Sequence, residues 1–354
     1  MNSIDKNKPV VVTGAAGYIA SWIVRYLLEE GIRVNATIRS PENSFKTSHL
    51  RKWQGQFPGK LNLFCADLLK EDSFRAAMRG ASVVIHTASP FLVTGIKDSY
   101  HQLINPAVQG VKNVINSVNI TPSVHRLILT SSIAAVYGDH SEIKNTNSAL
   151  FDESCWNKTS TPRHRPYSYS KTIAEKQAWS MVREQNRWDL VVLNPGRVFG
   201  PSLSSRTDNV SVKTMLQFGN GCFKRGLPQI FTPLVDVRDV AKAHINAAFN
   251  SAANGRYILV SQVLPLLKIA AMLRENFSNQ YPFPRQRLYK LIFWLGAPLL
   301  GYSRRYVSNN VNIPIRVDNS RSKQDLALDY IKVERTITDH FQQLINDNLL
   351  KVVN

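Results

Sequence analysis

Tyr167 and Lys171 stand four residues apart in the stretch Pro166-Tyr-Ser-Tyr-Ser-Lys171, and the pair Ser131-Ser132 follows the apolar run Leu127 to Leu129. A phenol, an ammonium and a hydroxyl can together protonate a carbonyl oxygen while hydride arrives from a nicotinamide. At i and i+4 of a helix, Tyr167 and Lys171 point the same way. A free phenol has a pKa of about 10, and a neighbouring ammonium stabilises phenolate and lowers that value toward working pH. Ser132 is expected to hold the carbonyl oxygen against Tyr167, and Lys171 to reach the nicotinamide ribose as well. The spacing alone is weak, because a chain with 12 tyrosines and so many lysines meets it roughly once by chance. Read singly, these residues are a solvated helix face and a capped strand end. An upstream nucleotide loop makes that the minority reading.

The loop is Thr13-Gly-Ala-Ala-Gly-Tyr-Ile-Ala20. It lies between an apolar strand and an amphipathic helix, the setting a dinucleotide fingerprint requires. Gly14 permits a tight turn, Gly17 admits a pyrophosphate to the backbone, and Ala20 lets the helix pack on the sheet. Tyr18 and Ile19 open the helix, whose free N–H groups and positive dipole end face the phosphates. An ordinary strand-to-helix turn rarely carries all three small residues. Arg39-Ser40 ends the second strand, where an NAD site usually has Asp or Glu. A guanidinium suits a 2′-phosphate, and Lys46 is close enough in sequence to join it. NADP(H) is therefore the expected cofactor, against the alternative of a solvated surface arginine. Asp67 and Leu68 end strand three, where a carboxylate can meet the adenine amino group; an N-cap is the other use for Asp67. Thr87, Ala88 and Ser89 end strand four, where small residues let backbone lie along the cofactor. Pro195 and Val198, after strand six, complete the expected cofactor-binding set with Tyr167 and Lys171.

The elements that must position these groups alternate. Strands are expected at Val10 to Thr13, Arg33 to Ile38, Leu61 to Phe64, Val83 to His86, Arg126 to Thr130 and Leu190 to Leu193. Helices are expected at Tyr18 to Glu30, Glu71 to Met78, Pro106 to Val118 and Ser168 to Glu184. The first helix should bury Ile19, Trp22, Ile23, Tyr26 and Leu27. Such alternation implies an α/β, doubly wound parallel sheet covered on both faces. Residues 1–195 read as an NADP-binding Rossmann domain, its sheet completed by segments near 230–260. Residues 196–354 read mainly as a smaller substrate-binding lobe.

With 354 residues, 44% hydrophobic and 19% charged, the chain can bury a sizeable core. Cys65, Cys155 and Cys222 are far apart and lack metal-ligand spacing, which fits a reducing cytoplasm without a metal site. The formal charge of +19 is spread along the chain, with no zinc finger or RNA-binding signature, so no nucleic-acid partner is expected. No signal peptide is apparent. The longest apolar run, Leu291 to Tyr302, is too short to span a bilayer and reads as a buried or cleft-lining helix; a peripheral membrane contact is the lesser alternative. The expected partner is a small-molecule carbonyl substrate, with no integral membrane segment, in a monomer or homodimer.

The motifs TGAAGYIA, ADL, HTASP, GVKNV, LTSSIAAVYGD, YSYSK and VDVRDVA, spread over most of the chain, resemble the extended short-chain dehydrogenase/reductase family, also called the NAD(P)-dependent epimerase/dehydratase superfamily. TSSIAAV, FDESCW and the Arg39/Lys46 pair resemble its dihydroflavonol 4-reductase and cinnamoyl-CoA reductase branch. The resemblance implies a Rossmann fold with Ser132, Tyr167 and Lys171 as catalytic residues. It places Asn113 in a supporting position, where a simply packed Asn is the other reading. It gives Asp236 and Asp239 a structural role. Two departures narrow it. Tyr137 stands where dihydroflavonol reductases carry the Asn that reads flavonoid hydroxyls. Arg165 to Lys171 differs from the Asn-Trp-Tyr-Cys-Tyr-Gly-Lys stretch of cinnamoyl-CoA reductases, so CoA-ester reduction is not supported. Arg197 replaces an apolar residue; it either favours an anionic substrate or sits in a surface pair.

The leading reading is an NADPH-dependent reductase of an aldehyde or ketone, run reversibly as an alcohol dehydrogenase. The alternative is an NAD-dependent nucleotide-sugar epimerase, which Ala135 to Asp139 keeps open and Arg39 disfavours. A sugar dehydratase lacks its Asp-Glu pair here. A redox-sensing binding protein would not need an intact Ser132, Tyr167 and Lys171.

Overall fold

The computed structural model describes residues 4–350 apart from 90–96, 147, 205 and 278–279. The first half runs β1 (Val10–Thr13), α1 (Tyr18–Glu29), β2 (Val34–Ile38), α2 (Ser44–Gln56), β3 (Leu61–Cys65), α3 (Arg75–Met78), β4 (Val83–His86), α4 (Asn105–Asn119), β5 (Arg126–Thr130), α5 (Pro166–Val182) and β6 (Asp189–Pro195). The second half runs β7 (Arg197–Phe199), α6 (Val210–Gly219), β8 (Leu227–Pro228), β9 (Phe231–Asp236), α7 (Val237–Phe249), β10 (Gly255–Leu259), β11 (Gln262–Pro265) and α8 (Leu266–Phe277). It ends with β12 (Arg287–Leu288), α9 (Lys290–Gly296), α10 (Arg304–Asn310), α11 (Ser320–Asp325) and α12 (Val333–Asn346).

Seven strands form one parallel sheet in the order β10-β6-β5-β4-β1-β2-β3. The strand period of two sorts its side chains between two cores. Val10 and Val12 join Ile23, Val24 and Leu27 of α1 and Val240 of α7 on one face. Val11 and Val84 join Val114 of α4 and Ala178 of α5 on the other. Both faces are covered, so the central strands are mostly apolar and β1 and β4 are wholly buried. The order reverses between β1 and β4, and the cleft opens beyond the carboxyl ends of the strands there.

Beyond β6 the chain builds a three-stranded sheet, β11-β9-β7. A separate core gathers beneath it from Phe218, Ile269, Ile337 and Phe341. The chain then returns to the large sheet, where β10 pairs in parallel with β6.

Several expectations shift. The buried face of α1 is Ala20, Ser21, Ile23, Val24, Leu27 and Leu28, while Ile19, Trp22 and Tyr26 lie at its border. The helix expected from Glu71 is the single turn α3, because Asp72 takes a left-handed φ of 56° and interrupts the winding. Helix α2 was not anticipated; it buries chiefly Thr47, Leu50 and Trp53. The run Leu291 to Tyr302 is helical but faces solvent instead of the interior: Leu291, Ile292, Leu295, Leu299 and Leu300 are all exposed.

Candidate active site

Helix α5 begins on Pro166, whose fixed φ suits the first turn. Its preceding residue Arg165 is left-handed, with φ of 56°. That start puts both Tyr167, half-buried, and Lys171, buried one turn further along, on the cleft. The Ser132 hydroxyl meets the Tyr167 phenol and accepts from the Ala134 N–H at 3.2 Å. Lys171 Nζ donates to Ser89 Oγ at 3.0 Å. Burial brings the Lys171 pKa down to about 8, against the opposing pull of Glu175. The expected lowering of the Tyr167 pKa is corrected. Burial pushes the phenol up, and only its Ser132 contact acts the other way, while the ammonium is engaged with Ser89.

The two serines divide their work. Ser131 donates to the Glu175 carboxylate, not to the cleft. Glu175 also accepts from Asn194 Nδ2 at 2.8 Å and from Arg256 Nε at 2.6 Å. The Glu175–Arg256 pair is buried and ties α5 to the returning strand β10. No sequence signal singled out either residue; a lone Glu on a helix and a lone Arg on a strand read as surface.

At the nucleotide end, Gly14 has φ of 64°, and a Cβ there would lie 3.0 Å from the Ala88 Cβ. A side chain at that position is excluded both by conformation and by space. Gly17 caps α1 with no side-chain hydrogen bond, so the first N–H groups of the helix remain for an anion. Thr13 Oγ1 accepts from the N–H groups of Thr87 and Ala88, each at 3.1 Å, and locks the end of β4 beside β1. Arg39 is exposed at the end of β2. Asn43 caps α2 by accepting from the Lys46 N–H at 3.1 Å, so a helix N-terminus stands next to Arg39. Asp67 does not cap α3; its Oδ1 accepts from the Leu69 N–H at 2.8 Å. The Leu68 carbonyl accepts from Asn113 Nδ2 at 2.7 Å, which makes Asn113 a brace for the Asp67–Leu68 turn.

All the expected residues line one cleft of about 1280 Å³: Ser132, Tyr167 and Lys171, with Gly14, Gly17, Tyr18, Ile19, Arg39, Lys46, Asp67, Leu68, Thr87, Ala88, Ser89, Pro195 and Val198. Sequence reasoning missed Ser40, Asn43 and Arg206, which line it too. Arg206 Nη1 donates to the Ala16 carbonyl at 3.3 Å. The Tyr18 phenol donates to the Gly200 carbonyl, and Trp22 Nε1 to the Pro201 carbonyl at 2.8 Å. The second half of the chain therefore clasps the glycine loop.

The other end of the cleft is lined by Tyr137, His140, Arg163, Arg165, Arg197, Tyr302 and Tyr306. Tyr137 stacks on Phe151 at 4.4 Å between ring centres. Behind the wall, burial raises the Asp139 pKa, but hydrogen bonds from Asn310, Asn309 and His164 outweigh it and hold the carboxyl low. Arg197 is exposed toward the cleft, and no ion-pair partner for it occurs among the described residues. Phe91 and Leu92, which follow Ser89 in the sequence and read from it as apolar cleft lining, lie outside the described residues. Asp236 caps α7 through the Arg238 N–H at 2.8 Å, and Asp239 accepts from the Ile331 N–H at 2.9 Å. Both are structural.

A phosphate cradle at a topological switch point, with a hydroxyl, a phenol and an ammonium beside it, defines a nicotinamide-dependent oxidoreductase. The chain belongs to the NAD dependent epimerase/dehydratase family, whose model matches residues 10–260. It is 36% identical to cinnamoyl-CoA reductase CAD2 of Medicago truncatula over 97% of this chain and 98% of that one. It is 40% identical to cinnamoyl-CoA reductase 1 of Petunia hybrida over 78% of this chain and 79% of that one. Among solved structures it resembles the yeast methylglyoxal/isovaleraldehyde reductase Gre2 complexed with NADPH. That likeness has a TM-score of 0.77 at 29% identity and covers 96% of this chain and 99% of that one.

Proposed function

We propose that this protein reduces an aldehyde or ketone to the alcohol with NADPH, reversibly, using Ser132, Tyr167 and Lys171. The observation that carries the reading is the contact of Ser132 with Tyr167 in the same cleft as Lys171 and the Gly14–Gly17 cradle. Gly14, Gly17 and the start of α1 fit a pyrophosphate, and Arg39 and Lys46 fit a 2′-phosphate. NADPH, when bound, supplies the hydride. Ser132 holds the carbonyl oxygen, and the Tyr167 phenol gives it a proton as the carbonyl carbon gains the hydride. The Lys171 ammonium favours the phenolate left behind and binds the ribose hydroxyls. Relatives named as reductases of carbonyl compounds support this over sugar epimerisation.

Residues 1–195 serve as the cofactor domain and 196–354 mainly as the substrate lobe. The substrate is a medium-sized carbonyl compound with an apolar body, because Tyr137, Tyr302 and Tyr306 line its end of the cleft. Three free cysteines support a reducing, cytoplasmic setting. Among the described residues no helix is long and apolar enough to cross a membrane. The test is a screen of NADPH oxidation over aldehydes, α-diketones, β-keto esters, flavonoid ketones and CoA esters. Stoichiometric product with each NADPH consumed is expected. Purification with stoichiometric NAD and interconversion of nucleotide sugars without net oxidation would establish the epimerase instead.

A further inference from the structure

Helix α9 and the turn that follows it carry a face that the fold leaves uncovered. Leu291, Ile292, Leu295 and Leu299 recur at i, i+1, i+4 and i+8, one side of a helix. Leu299 is 92% exposed and Leu291 69%, and Tyr289 and Leu300 flank them at 73% and 63%. The opposite side is properly buried: Phe293 and Ala297 pack on Val307 of α10 and Val311 just after it. The helix is thus held in place by its own small core while its most apolar side chains stand in water. Single exposed leucines need no explanation, but a row of them on one fixed helix does.

The charge around this face is of one sign. From Gln280 to Val317 the chain has six arginines and lysines and no aspartate or glutamate. Arg285, Arg287, Arg304 and Arg305 are exposed. The Arg304 guanidinium lies 4.5 Å from the centre of the Trp294 ring, joining the cationic rim to an aromatic group of the kind that favours a lipid interface. A self-association face with this rim would bring like charges together. An anionic lipid surface offers acyl chains to the leucines and headgroup phosphates to the arginines.

We propose that the face formed by Tyr289 to Leu300, with its rim of arginines, docks the protein onto anionic bilayers as a peripheral, non-spanning contact. The same segment continues into Gly301, Tyr302, Ser303 and Tyr306, which line the substrate end of the cleft. Docking places that entrance next to the lipid, where apolar carbonyl compounds partition. The docking itself does not depend on the catalytic reading.

The test is co-sedimentation of the full chain with vesicles of phosphatidylcholine alone or with 30% phosphatidylserine (about that fraction suffices for a negative surface), alongside light scattering for mass. Binding to the anionic vesicles should exceed binding to the neutral ones by about tenfold or more and fall at high salt. Leu295→Ser with Leu299→Ser, and separately Arg304→Glu with Arg305→Glu, should each weaken it about tenfold or more. Because these side chains are exposed, thermal unfolding and NADPH affinity should stay unchanged. Arg75→Glu with Arg79→Glu, at α3 and its C-terminal end, lowers the net charge equally and should leave vesicle binding within about twofold. Failure of the wild type to bind, or equal losses in both charge variants, overturns the proposal. So does a particle of twice the chain mass, without vesicle binding, that Leu295→Ser with Leu299→Ser converts to one chain; that result assigns the face to a second copy.

Discussion

At the proposed nucleotide end of the cleft the candidate recognising groups are largely backbone, drawn from residues 13–89 in chain order. Gly14 and Gly17 make room, Thr13 pins β4, and the start of α1 offers its N–H groups. At the substrate end the groups are side chains brought from the 130s, the 160s, Arg197 and the segment around Tyr306. A site made of backbone must obey steric rules that only a few residue types satisfy, so it leaves a readable mark. A site made of side chains depends on where distant segments come to rest.

The sharpest probe is Tyr167→Phe, which removes the proposed acid at the junction of the two ends. Turnover should fall by roughly 10²–10⁴, while NADPH affinity stays close to wild type in a fluorescence titration. A near-normal rate would place the acid elsewhere.

Next in size is Glu175→Ala. It strands the Arg256 guanidinium in the interior and should cost about 3–5 kcal/mol of stability in urea unfolding. This site is all side chains, so the loss should be global unfolding stability instead of a selective loss of cofactor. A selective loss would blur the contrast between the two ends.

Arg39→Ala acts at the nucleotide end alone. NADPH affinity should drop by about 1.5–3 kcal/mol, as for a lost charge-assisted contact, with NADH affinity unchanged. Equal wild-type affinities for the two cofactors would remove the 2′-phosphate reading.

Lys171 gives the most particular effect. Burial takes its pKa from an ordinary 10.5 to about 8. Between those values the unfolded chain binds more protons than the folded one, so stability should rise as pH climbs from about 8 toward 10.5. Over the same range the ammonium proposed to bind the ribose hydroxyls is lost, so kcat should fall. Stability and activity parallel in pH would contradict this. Lys171→Met should abolish the stability change.

Much of the fold was legible. The bounds of β1, β4 and β5 follow their apolar runs, because a sheet covered on both faces favours apolar residues on successive positions. Helix α2 escaped because it meets the core mainly at Thr47, Leu50 and Trp53, too few for a helical stripe to emerge. That the glycine loop, Arg39 and the Ser132–Tyr167–Lys171 set share one cleft was legible because each follows a strand or opens a helix. Arg206 and Glu175 could not. Arg206 reaches Ala16 across 190 residues of chain, and Glu175 finds Arg256 across 81. The outward face of α9 was misread for a related reason: composition announces apolar surface but not whether anything is folded against it.

The bond between Glu175 and Arg256 bears on how the protein could be divided. A fragment ending at Pro195 would hold the whole glycine loop and every proposed catalytic side chain. It would also leave β6 without β10, exposing a row of unpaired backbone groups along a bare sheet margin. Beneath Lys171, the Glu175 carboxylate would lose the Arg256 counterion with which it is buried in the full chain. The apparent junction in the sequence is therefore a poor place to cut. A minimal catalytic fragment has to extend through Leu259, and a circular permutant should open elsewhere, on an exposed turn that breaks neither bond.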